Sequence, residues 1–192
     1  MLRRLYDWTI ALAETRYALW ALAVVAFIES SVFPIPPDLL MIPMIIARPS
    51  RAFLIAGIAL VASVLGGMLG YAIGAFAFDS IGAPILESLG KTDSMAEFSM
   101  RFNDMGFWAV LVAGITPFPY KVITIMSGWT GMPIATFMIT SVIARGLRFF
   151  IIAGLLWKFG APVRDFIERR LGLVFIAFCL VLVGGFFAVK FI

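Results

Sequence analysis

Apolar residues run along this chain in long stretches of two kinds, smooth and broken. The smooth stretches cover residues 52–78, 134–157 and 171–190, the last apolar apart from Lys190 at its end. Each reaches the roughly 18–25 apolar residues that a helix needs to cross hydrocarbon. The broken stretches cover residues 17–47 and 105–131. The first carries Phe27-Ile-Glu29-Ser-Ser-Val-Phe-Pro34-Ile-Pro36-Pro37-Asp38, and the second Thr116-Pro117-Phe-Pro119-Tyr-Lys121. Each proline removes a backbone donor, so a helix must stop or turn there. The Pro-x-Pro pairs start 83 residues apart, and Asp38 and Lys121 follow them at the same offset. The expectation is a re-entrant hairpin in each broken stretch, since irregular backbone at membrane depth must be buried in protein or line a cavity.

The smooth stretch 52–78 holds Gly66, Gly70 and Gly74, two overlapping small-xxx-small motifs that let a neighbouring helix approach closely. Between the halves, residues 79–104 form a polar connector. There Ser94-Met-Ala-Glu97 reads as a capping box, and Phe98, Phe102 and Met105 follow at helical spacing, so an amphipathic surface helix is expected. Residues 158–170 carry Lys158, Arg164, Arg169 and Arg170 and read as a basic loop. Residues 1–16 read as an amphipathic segment at the interface, with Leu5, Trp8 and Leu12 on one face. The organisation expected is one membrane domain over residues 1–192. Residues 17–78 form repeat one, 79–104 the connector, 105–157 repeat two and 171–190 a final transmembrane helix. The fold class is all-α and polytopic. A hairpin that returns, followed by a helix that crosses, makes the two copies inverted, as in many transporters.

Charge sets the orientation. Nine Lys and Arg residues (3, 4, 16, 48, 51, 158, 164, 169 and 170) fall on the N-terminal side and three (91, 101 and 190) on the other. This favours a cytoplasmic N-terminus. Were both broken stretches to cross fully, two pairs would exchange sides and the count would be unchanged. The count therefore orients the ends without deciding re-entrance.

Composition confirms the class and removes alternatives. The chain has 192 residues, is 62% hydrophobic and only 14% charged, and its mean hydropathy is +1.05; a soluble domain is about a quarter charged. It contains no histidine, so bis-His haem ligation, His-based zinc sites and Ser-His-Asp triads are impossible. The lone Cys179 reads as packing. The first sixteen residues lack the apolar core of a signal peptide. The net charge of +4 follows topology, with no basic stripe for nucleic acid.

Five ionisable residues stand within apolar stretches: Glu29, Asp38, Lys121, Arg145 and Arg148. A charge in hydrocarbon is costly and marks function. The first half supplies acids and the second bases. Arg145 and Arg148, three apart, share a helix face. Arginine grips phosphate with a planar fork, so Lys121, Arg145 and Arg148 are candidate ligands for an anionic head group. Glu29 and Asp38 are candidate proton carriers, because a dry pocket favours a neutral acid and a neighbouring cation favours the carboxylate. If the hairpin tips meet, Asp38 and Lys121 would face each other. Ser30, Ser31, Thr116, Tyr120 and Thr124 could reach a head group or satisfy the broken backbone. Pro34, Pro36, Pro37, Pro117 and Pro119 break the hairpins.

On these residues the chain resembles the DedA family of bacterial inner-membrane proteins, also called the SNARE-associated or VTT-domain family, and is most similar to its YqaA-like branch. The matching pieces are Glu29 through Asp38, Gly66-Gly67-Met-Leu-Gly70-Tyr71-Ala-Ile-Gly74, Thr116 through Lys121, Gly128 and Ala144-Arg145-Gly146. The resemblance implies two re-entrant hairpins and proton-coupled movement of undecaprenyl phosphate or a phospholipid. It maps the family's acids to Glu29 and Asp38, its second-hairpin base to Lys121, and the arginine of the following helix to Arg145. The chain departs where many members carry an arginine shortly before the second hairpin's proline, having Gly114-Ile115-Thr116, and its base is lysine rather than arginine.

The expected function is therefore that of a flippase or scramblase for a phosphate-bearing lipid in a bacterial inner membrane. Membrane lipids and protons are the expected partners, a homo-oligomer is left open, and no nucleic acid, cofactor or metal is expected. A proton-coupled small-solute or ion antiporter and a non-transporting membrane scaffold or assembly factor are the alternatives. An enzyme is disfavoured, since no activated nucleophile is visible.

Overall fold

A computed structural model describes the backbone of residues 17–32, 36–77, 80, 83–88, 92–116 and 119–188. Side chains are described within these segments except at 83, 85–86, 92–95, 161 and 163–188. The amphipathic segment 1–16, Pro34, Pro117 and Lys190, and the side chain of Cys179, lie outside the described residues.

Among the described residues the chain is helical, without strands. In chain order the helices are α1 (Ala18–Ser31), α2 (Asp38–Ala47), α3 (Ala52–Ala77), α4 (Ala83–Ser88), α5 (Thr92–Asp104), α6 (Gly106–Ile115), α7 (Tyr120–Trp129) and α8 (Ile134–Ala188). A short 3-10 turn, Pro49–Arg51, leads into α3. Among the described residues two segments are long and apolar enough to cross a membrane: Pro49–Ala77, of 29 residues, and Ile134–Gly160, of 27. The arms of the broken stretches are not. α1 has 14 residues, and α2, α6 and α7 have 10 each. At 1.5 Å per residue these reach about 15–21 Å, short of a hydrocarbon core of about 30 Å.

Local chemistry explains the breaks. Thr116 caps α6 in an extended conformation, as a residue before proline must. Pro119 is extended, and α7 starts directly after it. Pro37 precedes α2, and Asp38 occupies the first turn, where a carboxylate favours the exposed amides. α7 ends in a Schellman motif: Gly131 adopts φ +67, its N–H reaches the Gly128 carbonyl at 3.2 Å, and the Met132 N–H reaches the Ser127 carbonyl at 3.0 Å.

Two of the sequence expectations are corrected. Residues 158–170 are not a loop: the backbone stays helical from Ile134 to Ala188, so the basic stretch and the expected final span continue one helix. Pro162 removes a single hydrogen bond, whereas the Arg, Glu, Leu and Ala residues around it all favour helix. α5 begins at Thr92, two residues before the capping box at Ser94.

Packing crosses between the halves. The first arm of each broken stretch lies on the long helix that follows it, α1 on α3 and α6 on α8. The second arm lies on the long helix of the other half, α2 on α8 and α7 on α3. Two cores result. One joins Leu22, Met41, Ile45, Ile55 and Phe149 from α1, α2, α3 and α8. The other joins Phe102, Val110, Tyr120, Met132 and Phe137. Large apolar side chains face outward, among them Trp20 and Phe76, as expected where the solvent is lipid.

α3 is the common wall, and its glycines make it so. A Cβ on Gly66 would fall on the Phe27 carbonyl of α1, and one on Gly74 on the Ile125 carbonyl of α7. At Gly70 it would meet the Thr124 hydroxyl and the Ser30 carbonyl. The stripe therefore receives the backbones of both broken stretches on one face.

Candidate functional site

The charged residues converge where α1, α2, α3, α7 and α8 meet. Arg145 and Arg148 project from one face of α8 into two separate ion pairs. Arg145 Nη2 donates to Glu29 Oε2 at 2.7 Å, and Arg148 Nη2 donates to Asp38 Oδ2. Both pairs join an acid of the first half to a base of the second.

The Arg145 pair is deeply enclosed. Arg145 is 2% exposed, and its guanidinium carbon lies over the Tyr120 ring at 4.8 Å and the Phe149 ring at 4.7 Å. Aromatic faces attract a desolvated guanidinium, and the Tyr120 hydroxyl is itself held by Ser141 Oγ at 2.5 Å. Arg145 Nε donates to Ser63 Oγ at 2.7 Å. Ser63 Oγ stands 2.7 Å from Ser30 Oγ, which donates to Glu29 Oε2 at 3.0 Å. Since the Ser30 proton is spent on Glu29, Ser63 donates to Ser30. The donors run in one direction, from Arg145 through Ser63 and Ser30 to Glu29.

The Arg148 pair is more open. The Arg148 side chain is 15% exposed, against 2% for Arg145. Arg148 Nη1 donates to the Thr116 carbonyl at 2.7 Å, so one side chain ties the start of α2 to the end of α6. Asp38 Oδ1 is buried and has no hydrogen-bond partner among the described residues.

Lys121 and Asp38 do not pair with each other. Lys121 Nζ donates to the Val32 carbonyl at the end of α1, at 3.1 Å, and Asp38 is taken by Arg148 instead. The reason lies in helix direction. Asp38 opens α2, which packs on α8, whereas Lys121 opens α7, which packs on α3 beside α1. The two broken stretches do meet, through Lys121 and through Thr124 Oγ1, which donates to the Ser30 carbonyl at 3.0 Å. Ser31 donates to the Phe27 carbonyl at 3.0 Å. The hydroxyls thus divide: Ser31 and Thr124 satisfy backbone, Ser30 and Tyr120 join the charged network, and Thr116 contributes its carbonyl.

Sequence reasoning missed Ser63, Ser141 and Phe149. Ser63 lies three residues before Gly66, on the glycine stripe, and Ser141 lies four before Arg145 and seven before Arg148. Helical spacing from residues already singled out was the available signal. Among the described residues no group of three Asp, Glu or Cys side chains gathers to hold a metal ion.

Comparison with known proteins identifies the frame that carries this cluster. The family model for the VTT domain matches residues 33–158. The chain belongs to the VTT-domain (DedA) family. An uncharacterised protein of Haemophilus influenzae is 39% identical over 168 residues, covering 85% of this chain and 87% of that protein. An uncharacterised protein of Histophilus somni matches to the same extent. No solved structure matches. VTT-domain proteins are membrane proteins associated with transport or lipid-related function, and are not a known enzyme family. The matched span begins just before Asp38 and ends after Arg148, so it contains every residue of the cluster except Glu29, Ser30 and Val32.

Proposed function

We propose that this VTT-domain protein carries a phosphate-bearing lipid across a bacterial inner membrane and takes up a proton together with it. The carrying observation is the Arg148–Asp38 pair, which is partly open and joins the two broken stretches. A guanidinium binds a carboxylate and a phosphate with the same fork. An entering head group therefore competes with Asp38 for Arg148. The displaced carboxylate, left in a poorly hydrated site, costs several kcal/mol if it stays charged. Taking a proton removes that cost. Lys121, at the rim, supplies a second cation that steers the anion inward.

The architecture supports the same reading. Two broken stretches whose second arms pack on each other's long helix form the kind of crossed interface at which transporters hold their substrates. We read the stretches as re-entrant hairpins and the halves as inverted copies, with the N-terminus cytoplasmic. The enclosure of Arg145 favours a second reading, in which the network is only a structural clamp of a membrane scaffold.

Transbilayer movement of labelled undecaprenyl phosphate and phosphatidylethanolamine in proteoliposomes, with and without a pH gradient, separates these. Flux that depends on the protein and disappears in folded Asp38→Asn and Arg148→Gln variants supports transport, and the faster lipid names the substrate class. Well-folded protein that moves neither lipid sinks the proposal and leaves the scaffold.

A further inference from the structure

The two carboxylates of the cluster are about equally exposed, 11% and 10% of their side chains, but they differ in the donors that hold them. Glu29 Oε2 accepts from two donors, Arg145 Nη2 at 2.7 Å and Ser30 Oγ at 3.0 Å. Arg145 Nε can only donate, and it reaches Ser63 Oγ at 2.7 Å, which stands 2.7 Å from Ser30 Oγ. With Ser30 donating to Glu29, the ring Arg145–Ser63–Ser30–Glu29 is a circuit of donors that ends on Glu29 Oε2 and favours its ionised form. Asp38 is held by one guanidinium through Oδ2, while its buried Oδ1 lacks a partner among the described residues.

We infer that Asp38 is the carboxylate that exchanges the proton, while Glu29 stays ionised as part of a fixed strut in which Ser63 is a positioning residue. This rests on the transport reading above and assigns roles within its site. The strut joins α1, α3 and α8 one turn away from Arg148. It therefore fixes the α8 face from which Arg148 reaches Asp38. The charged and titratable groups around the acids agree with the division. Glu29 faces Arg145 from α8, with Tyr120 from α7; α3 offers only the uncharged Ser63 there. Asp38 faces Arg148 and, farther off, Arg145 from α8.

The step balances simply. A phosphate oxygen of the head group takes the Arg148 donor from Asp38 Oδ2. Asp38 gains one proton from a hydronium ion: an O–H bond forms on its carboxylate as one O–H bond of the hydronium breaks and leaves water. No other bond forms or breaks.

Difference infrared spectroscopy reads this without transport. Phosphatidic acid, a phosphate-monoester lipid, is added to the purified protein in detergent, and the carbonyl stretch of a newly neutral carboxylic acid is recorded. The band is expected in wild type and in Ser63→Ala, and is expected to be lost in Asp38→Asn, which keeps the shape and an acceptor for Arg148. In the double variant Glu29→Gln/Arg145→Gln the band is expected to persist, with reduced thermal stability. Loss of stability in Ser63→Ala together with an unchanged pH midpoint of the band marks Ser63 as positioning the strut. A band that survives Asp38→Asn, a band lost only on changing Glu29, or no band in wild type overturns the assignment. If the band behaves as expected while proteoliposomes show no lipid flux, the proton assignment stands and the transport reading fails.

Discussion

Replacing Arg145 by methionine tests whether the enclosed pair supports the fold. The change leaves Glu29 in place with 11% of its side chain exposed, and it removes the donor that orders Ser63 and Ser30. Breaking a buried pair from one side costs about 3–5 kcal/mol, because the remaining charge is stranded. Losing the guanidinium between the Tyr120 and Phe149 rings acts in the same direction. For a chain of this size each kcal/mol lowers Tm by about 2–4 °C, so a drop of about 6–20 °C is expected. Thermal unfolding in detergent, followed by tryptophan fluorescence, measures it. The double variant Glu29→Gln/Arg145→Met removes the stranded charge and recovers at least half of the loss, since neutral replacements of buried pairs are often well tolerated. A single variant that melts within about 2 °C of wild type, or a double variant less stable than the single, would refute the reasoning.

The glycine stripe gives a sharper contrast. Gly66→Ala sets a methyl on the Phe27 carbonyl and should destabilise by about 1–3 kcal/mol. Gly57→Ala, on the same helix with nothing near its Cβ, should be neutral or gain about 0.5–1 kcal/mol; melting curves compare the two directly. Asn103→Ala removes the double link to Thr130, at 2.8 and 3.1 Å. Hydrogen exchange should quicken at the turn after α7 while protection in α3 is kept. Lys121→Met should leave Tm within a few degrees, because its one described bond is to a carbonyl at a partly open position. It should slow uptake of an anionic lipid more than that of a zwitterionic one in proteoliposomes.

Much of the frame was legible along the chain, and for identifiable reasons. Unbroken apolar length marked α3 and the apolar part of α8, and prolines marked where α1 gives way to α2 and α6 to α7. The three-residue spacing of Arg145 and Arg148 placed them on one face. Partners were not legible in the same way. Equal offset from the prolines paired Asp38 with Lys121 on paper, but which helix a second arm lies on is decided by packing over the whole chain. Ser63 was invisible because one hydroxyl in an apolar stretch gains meaning only from what stands opposite it. The basic stretch 158–170 misled because its charges were read as water-seeking loop, although Lys, Arg and Glu are themselves good helix formers.

The exchange of second arms has a consequence for how the protein is made. A ribosome releases α3 well before α7 and α8 exist. Until then half of its glycine stripe, and the Ser63 hydroxyl, have no intended cover. The N-terminal half therefore enters the bilayer as an unfinished surface, and its Glu29 waits more than a hundred residues for Arg145. Insertion and folding must be separate events in this chain, and the interval between them is when a chaperone, or the corresponding surface of another unfinished copy, has something to bind.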